Sequence, residues 1–367
     1  MLLKRILLVE PDFPTERKSK NHLQSLPLGL LKLASYHRSL GNSVQLVRGE
    51  TTLDYEPDEI LITSLFTYWS KYVWDSVNYY KHMFPNIQVT VGGIYATLMP
   101  EHCKQSGCDE VYIGIHKEAE CFLPAYDLVN SEMQIVHTSR GCVRNCAFCG
   151  VWKIEPEFNY KKSIIQEIIK NHVLFYDNNI LANPHIERIL EELASIKLGG
   201  KIVVSESQCG IDGRLLTADL AKLLKKAHFK DPRIAWDHQY AQHEHVKQQI
   251  DLLVNAGYQR KDIYVFMLYN HDLDFDQLEK KRLKCLEWGV QIADCRFRPL
   301  NQTFDNYNPQ AWKDGQSNQE YYIHPNWTDF QIRKFRKQVR EQNIIIRHGF
   351  SEYSRDKERA GRQKKIG

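Results

Sequence analysis

The chemically richest stretch of the 367-residue chain is Ser139-Arg140-Gly141-Cys142-Val143-Arg144-Asn145-Cys146-Ala147-Phe148-Cys149. Its cysteines have C-x3-C-x2-C spacing. Three thiolates on so short a loop can each bind a different iron of a cubane, which leaves a fourth iron open for chemistry. Zinc also favours closely spaced thiolates, but it usually gathers four ligands from two separate pairs. No second pair follows at such a distance: Cys209, Cys285 and Cys295 are isolated in sequence. His137 precedes the loop at a strand-end spacing rather than a ligand-pair spacing. Cys142, Cys146 and Cys149 are therefore the expected metal ligands. Gly141 suits a sharp exit from a strand, and Phe148 is placed to shield a cluster and to press against an adenine.

Such a loop needs a scaffold, and the pattern downstream supplies one. Apolar, β-branched runs at 135–138, 173–176, 202–204, 234–236, 264–268 and 291–297 read as six strands. Helices with i, i+3, i+4 apolar spacing fill the gaps at 186–198, 215–227, 246–256 and 278–288, with Gly199-Gly200, Gly257 and Gly289 as their stops. Six βα units suggest a partial (β/α)6 barrel. In barrels of parallel strands the chemistry lies at the carboxyl ends, where Asp177, Asn178, Asn179, Ser205, Gln208, Asp237, His238, Asn270, His271, Arg296 and Arg298 fall. His238 and His271 can shuttle protons near neutral pH, and Ser205 and Gln208 can reach a ribose or carboxylate. The same residue types also cap helices and form turns.

Ahead of the loop, runs at 6–9, 44–47, 60–63, 89–91 and 111–113 alternate with helix-length stretches at 28–40 and 72–83. Strand alternating with helix implies right-handed crossovers and a doubly wound parallel sheet. Ligands of such sheets sit beyond the carboxyl ends of the strands, here 64–67 and the turn Gly92-Gly93-Ile94-Tyr95.

Hydrophobic residues make up 43% and charged residues 26%, proportions that argue for packed domains and against disorder. The apolar opening Met1–Val9 is cut by Glu10, Pro11 and Asp12, too early for a membrane span or signal sequence, so a cytoplasmic address is expected. Nine cysteines in that setting argue for metal or catalysis rather than disulfides. Cys103, Cys108 and Cys121 read as ordinary thiols, a second cluster being the alternative. Residues 331–367 hold 12 Lys and Arg against 4 Asp and Glu. With Tyr307, Trp312, Tyr321, Tyr322 and Trp327 before them, they could hold a nucleic acid or form a solvated basic surface. Thr328 is the expected N-cap of a helix through Arg340, with Arg333, Lys334, Arg336, Lys337 and Arg340 on its surface.

The cysteine loop, placed just after a strand, resembles the radical S-adenosylmethionine superfamily, whose defining cysteines share this spacing. The resemblance implies a [4Fe-4S] cluster whose open iron is chelated by S-adenosyl-L-methionine. One electron, from a donor such as flavodoxin or ferredoxin, then cleaves the cofactor to methionine and a 5′-deoxyadenosyl radical. Where this superfamily often shows Gly-Gly-Glu to bind the cofactor's amino group, Asp177-Asn178-Asn179 stands instead. The run Leu26-Pro27-Leu28-Gly29-Leu30-Leu31-Lys32-Leu33-Ala34, with Val91-Gly92-Gly93 and Gly114, resembles the N-terminal domain of cobalamin-binding radical enzymes. That makes cobalamin a candidate cofactor, with Gly92 and Gly93 beneath it. Asp-x-His-x-x-Gly, which supplies a histidine to cobalt in many cobalamin proteins, is absent.

The expected organisation is a cobalamin-binding-like domain over 1–130, a radical enzyme barrel over 131–305 and a basic C-terminal extension over 306–367. The expected activity is reductive cleavage of S-adenosylmethionine, leading to cobalamin-dependent methyl transfer or another radical modification. Its substrate is not named by the sequence. The alternatives are a radical enzyme whose first domain holds substrate instead of cobalamin, and a zinc-stabilised nucleic-acid-binding module.

Overall fold

Five runs rich in Val, Ile and Leu open the computed structural model, which describes residues 3–15, 26–237, 239–311 and 315–349. They form β1 (Arg5–Glu10), β2 (Ser43–Arg48), β3 (Glu59–Ser64), β4 (Val89–Gly93) and β5 (Glu110–Val111), parallel throughout in the order β2-β1-β3-β4-β5. Alternate residues serve opposite faces. Ile6, Leu8 and Leu61 meet α1 (Leu28–Ser39) through Leu30 and Ala34. Leu7, Val9, Ile60, Ile62, Val89 and Val91 pack with Val73, Val77 and Tyr80 of α2 (Ser70–Met83). Both faces are covered, as a parallel sheet requires. Strand order reverses between β1 and β3, and their carboxyl ends flank the resulting crevice. Short helices α3 (Ile94–Leu98), α4 (Pro100–Lys104) and α5 (Lys117–Glu120) complete this part.

The chain divides into two compact units. The first holds residues 1–135, 144–158 and 299–306; the second holds 136–143, 159–298 and the described residues from 307 on. Segments 144–158 and 299–306 join the first unit through specific contacts. The helix α6 (Val151–Ile154) packs on α3. Ser70 Oγ donates to Thr303 O at 3.1 Å.

Beyond β6 (Met133–Val136) and β7 (Ser139–Arg140) come β8 (Asn159–Tyr160), β9 (His172–Phe175) and α7 (Ile186–Ser195). The hairpin β10 (Lys197–Leu198) and β11 (Lys201–Ile202) leads to β12 (Val204–Ser207) and α8 (Ala218–Lys226). Then β13 (Arg233–Ala235), α9 (His243–Asn255), β14 (Tyr264–Tyr269), α10 (Phe275–Trp288) and β15 (Gln291–Arg296) alternate. Hydrogen bonds group them as β12-β9-β6 and β13-β14-β15, with parallel pairing of β9 to β12 and along β13-β14-β15. Isolated parallel bridges Ser205↔Phe229 and Ile211↔Ile234 lie between the two groups. Side chains reinforce that junction: Arg233 Nη2 donates to Glu206 Oε2 at 3.3 Å and Arg233 Nη1 to Ser207 O at 2.9 Å. The protein is thus a mixed α/β fold with parallel sheets.

Three sequence expectations change here. The helix expected over 186–198 ends at Ser195, because Gly199 and Gly200, at φ +56° and +77°, form the two-residue turn of the β10–β11 hairpin. Two consecutive left-handed residues favour a hairpin turn over a helix stop. Gly289, at φ +68°, does cap α10 as expected. The last helix, α11 (Asp329–His348), runs past Arg340 and begins in a capping box between Thr328 and Gln331. Arg333, expected on its surface, is instead buried and donates to both Asp329 carboxylate oxygens at 2.9 and 2.8 Å. Asn343 covers the open edge of β15, donating to Ile292 O at 2.8 Å and accepting from Ile292 N at 2.9 Å. A side-chain amide that takes both the N–H and the C=O of Ile292 blunts the edge at that residue. Trp312 and the basic tail 351–367 lie outside the described residues. Among the described residues no helix is long and apolar enough to cross a membrane.

Candidate functional site

The cysteine loop is closed at its base by β7 pairing antiparallel with β8, Ser139 opposite Tyr160 and Arg140 opposite Asn159. Gly141 leaves this ladder at φ +75°, the left-handed backbone that glycine adopts most easily. Cys142, Cys146 and Cys149 are all half-buried and outside any disulfide. Cys149 N donates to Cys146 O at 3.0 Å, so a turn joins the last two thiols. Among the described residues no three His, Cys, Asp or Glu side chains converge on a single ion. A cubane does not ask for that, since each cysteine binds its own iron. Three thiols outside any disulfide, spaced C-x3-C-x2-C on one loop, are the kind of donor set that a cubane takes. Phe148 is half-buried within the same loop.

Asp177, just past β9, is fully buried. Its Oδ1 accepts from Thr138 Oγ1 at 2.5 Å, Ser139 N at 2.6 Å and Ser139 Oγ at 2.9 Å. Both carboxylate oxygens also lie 3.0 Å from Thr138 N. Burial pushes this carboxyl above the usual range, while bonds from Thr138 and Ser139 pull it back. These contacts make Asp177 an anchor for the loop base. Asn183 adds to it, donating from Nδ2 to Thr138 O at 3.0 Å and Lys161 O at 3.1 Å.

Two other sequence candidates carry buried oxygens with no hydrogen-bond partner among the described residues: Asn179 Oδ1 and Ser205 Oγ. Asn179 Nδ2 donates to Asp212 Oδ2 at 3.2 Å, which fixes the amide's orientation. A buried acceptor or hydroxyl left unmade costs about 1–3 kcal/mol, so a ligand that satisfied it would gain. Gln208 is half-buried and donates to Glu206 Oε2 at 3.2 Å; Asn178 is half-buried beside Asp177. His238 lies outside the described residues.

His271 stands at the carboxyl end of β14, its ring 4.5 Å from that of Phe297 and 6.0 Å from that of His324. Burial lowers its pKa, against Asp272 and Asp237, which raise it. Neither His324 nor the neighbouring Asn270 was recognisable as a partner from local sequence, because the segment 322–327 arrives from far along the chain. Asn directly after a strand, a residue tolerant of left-handed backbone, was the one available hint.

In the first unit Gly93 has φ +104°, and a Cβ there would lie 2.3 Å from Ser64 O. Its hydrogen is therefore required by the close approach of β3 and β4. Gly92 is looser, its would-be Cβ 3.6 Å from Tyr112 Cβ. Tyr95, next to this turn, is fully buried, its hydroxyl bonded to Trp74 Nε1 at 3.0 Å and His102 Nδ1 at 2.6 Å. At the crevice between β1 and β3, Phe13 stacks on Trp69 at 5.4 Å and Phe66 on Tyr68 at 5.0 Å. Phe66 is 43% exposed, which leaves an apolar platform at the sheet's carboxyl edge. Cys103 and Cys108 are buried in this unit's core, whereas Cys121 is exposed after α5.

No protein-family model and no curated protein matches the chain. Solved structures do. The radical S-adenosylmethionine methyltransferase TsrM from Kitasatospora setae, with cobalamin and a [4Fe-4S] cluster bound, superposes with a TM-score of 0.59 at 13% identity. That match covers 82% of this chain and 77% of TsrM. TsrM with a tryptophan substrate and a S-adenosylmethionine analogue bound gives 0.58 at 12% identity, over 82% of this chain and 75% of TsrM. At such identities the likeness is one of architecture, and what it establishes is that this chain shares the fold of TsrM.

Proposed function

We propose that this chain is a radical S-adenosylmethionine enzyme that transfers a methyl group. In this reading residues 1–130 form a cobalamin-binding-type domain and residues 131–305 a partial barrel of β6, β9, β12, β13, β14 and β15. The observation that carries it is the C-x3-C-x2-C loop, held by the Asp177 anchor at the start of a parallel sheet in a chain with the fold of TsrM. Cys142, Cys146 and Cys149 would hold the [4Fe-4S] cluster. The cluster and S-adenosylmethionine supply reductive activation of a sulfonium, and cobalamin supplies a methyl carrier.

This chain's own residues do the rest. Asp177 and Asn183 fix the loop base, so that the three thiols are presented from a rigid start. Asn179 Oδ1 and Ser205 Oγ, buried and without partners among the described residues, are acceptors suited to a cofactor's ammonium or hydroxyl groups. Phe66, Tyr68 and Trp69 give a broad ring or corrin an apolar surface at the edge of the first sheet, with Gly92 allowing close approach. Segment 144–158 carries Cys146 and Cys149 and packs through α6 on α3, which follows Gly93 directly.

Anaerobic reconstitution with iron and sulfide tests the reading. A broad iron–sulfur absorption and about four irons per chain are expected, with further bands on adding cobalamin. Cys142→Ala, Cys146→Ala and Cys149→Ala should each lose the iron. Iron retained near the wild-type level in any one of them would overturn the assignment.

A further inference from the structure

The carboxyl end of β14 carries a cluster built by residues far apart in sequence. Asn270 is fully buried at φ +59°, a left-handed backbone that Asn tolerates better than most side chains. Its Nδ2 donates to Tyr322 O at 2.9 Å and Phe297 O at 3.4 Å, and its Oδ1 accepts from His324 N at 2.8 Å. Trp327 Nε1 donates to His271 O at 3.0 Å and Leu273 O at 2.8 Å, and Asn326 Nδ2 to Asp272 O at 3.0 Å. Segment 322–327 is thereby fixed across the ends of β14 and β15, which sets His324 beside His271.

Both rings turn a nitrogen to Asp272. His271 Nδ1 lies 3.6 Å from Oδ2 and His324 Nε2 lies 3.5 Å from Oδ1. The tautomer of His324 follows from its other ring nitrogen. His324 Nδ1 accepts from Asn326 N at 3.1 Å, so the proton of the neutral ring is on Nε2, facing Asp272. The same carboxylate favours the proton of His271 on Nδ1, which puts the lone pair on Nε2. A carboxylate beside an imidazole favours one ring orientation and the imidazolium formed on taking a proton, here through an attraction that water screens in part because the Asp272 side chain is 80% exposed. Among the described residues, the titratable groups that act on His271 include Asp272 on its own loop, Asp237 from the end of β13 and His324 from the C-terminal segment. Distances slightly beyond hydrogen bonding are usual for such pairs before substrate binds.

We propose that His271 is the proton acceptor for the methyl transfer, oriented through Asp272 by His324 and set in place by Asn270 as a positioning residue. The inference rests on the methyl-transfer reading above. In net terms a substrate R–H takes a methyl group from a sulfonium. The S–CH3 bond breaks and leaves its electron pair on sulfur as a thioether, and the R–H pair becomes the R–CH3 bond. The released proton goes to His271 Nε2. The substrate class is therefore one methylated at a neutral C–H or N–H position, with the Phe297 and Tyr322 rings, 5.8 Å apart, as apolar walls beside the base.

Nitrogen-15 histidine NMR of the full chain tests the relay directly, with His271→Gln and His324→Gln to assign the signals. His271 should show the Nδ1–H tautomer and His324 the Nε2–H tautomer. Asp272→Asn should lower the His271 pKa by about one unit. Asn270→Gly keeps the left-handed backbone but removes the clamp, and should also abolish the His271 tautomer preference. A second arm gives reconstituted enzyme methyl-deuterated S-adenosylmethionine and a small-molecule cell extract. His271→Gln should reduce labelled product by about a hundredfold while the iron–sulfur spectrum is unchanged. An Nε2–H tautomer at His271, a titration indifferent to Asp272→Asn, or undiminished labelling by His271→Gln would overturn the proposal. A wild-type chain that assembles no cluster would sink the methyl-transfer reading instead, and His271 would lose its proposed role whatever its tautomer.

Discussion

Asp177 Oδ1 accepts from the backbone N of Ser139 at 2.6 Å, so a residue beyond β9 holds the strand exit that leads into Cys142. Removing the carboxylate strands the amides and hydroxyls of Thr138 and Ser139 in the interior. Each buried donor without a partner costs about 1–3 kcal/mol. Asp177→Ala should therefore destabilise the chain by about 3 kcal/mol, read as a lowered urea midpoint. Iron retention after reconstitution should fall with it. A variant with wild-type midpoint and iron content would show that the anchor is idle.

Gly92 and Gly93 should respond differently to the same substitution. Gly93→Ala places a methyl group 2.3 Å from Ser64 O on a backbone at φ +104°, so β3 and β4 must separate. A loss of more than about 2 kcal/mol is expected, whatever ligand the edge binds. Gly92→Ala meets only Tyr112 at 3.6 Å, an ordinary contact, and should fold normally. Gly92 is thus the position at which a bulkier residue tests cobalamin binding without confounding it with strand separation. Equal melting temperatures for the two alanine variants would refute this distinction.

What was legible in the sequence was whatever is local. The β-branched runs of the first sheet, the αL cap at Gly289 and the cysteine loop after a strand all depend on neighbours in the chain. Asp177 was legible as a polar residue past a strand, yet its orientation toward Thr138 and Ser139 depends on β6 and β9 lying side by side. His324 and Asn343 were illegible for the same reason: each finds its partner across some fifty residues of chain, as the Asn343–Ile292 and His324–Asn270 bonds do. Gly199-Gly200 misled because two glycines after an amphipathic run read as a helix stop, until β10 and β11 pair around them.

The pairing of Arg333 with Asp329 locks the start of α11, and Arg333 Nε lies within 3 Å of both oxygens, at 2.9 and 2.8 Å. Burial alone would raise the Asp329 carboxyl, but bonds from Arg333 and Tyr321 outweigh it and hold it below the usual range. A depressed carboxyl stabilises the fold above its unfolded pKa and loses that contribution as pH falls through the folded value. Arg333→Met leaves the Asp329 carboxylate bonded to the Tyr321 hydroxyl but without its guanidinium partner, and should cost about 3 kcal/mol at neutral pH. The penalty should shrink in acid, starting below the ordinary carboxylate range of about 4 and vanishing only once pH has fallen through the depressed folded value, where Asp329 is protonated in both states. A penalty constant across that range would mean that Arg333 contributes by packing alone.

Asp294, on β15, shows the opposite linkage. Burial pushes its carboxyl up to about 6, against the pull of Arg336 and Arg340 from α11. The unfolded chain holds this proton only to about pH 4, so between about 4 and 6 the folded state binds more protons. Stability must then fall as pH rises through that window, and the loss persists above it. Asp294→Asn removes the ionisation while keeping the shape. It should leave the melting temperature unchanged near pH 4 and raise stability near pH 7.5 by on the order of 2 kcal/mol. Thermal melts at those two pH values decide the matter. An equal gain at both would assign the effect to packing against α11, and a loss at the higher pH would mean that the two arginines, rather than burial, govern the charge on Asp294.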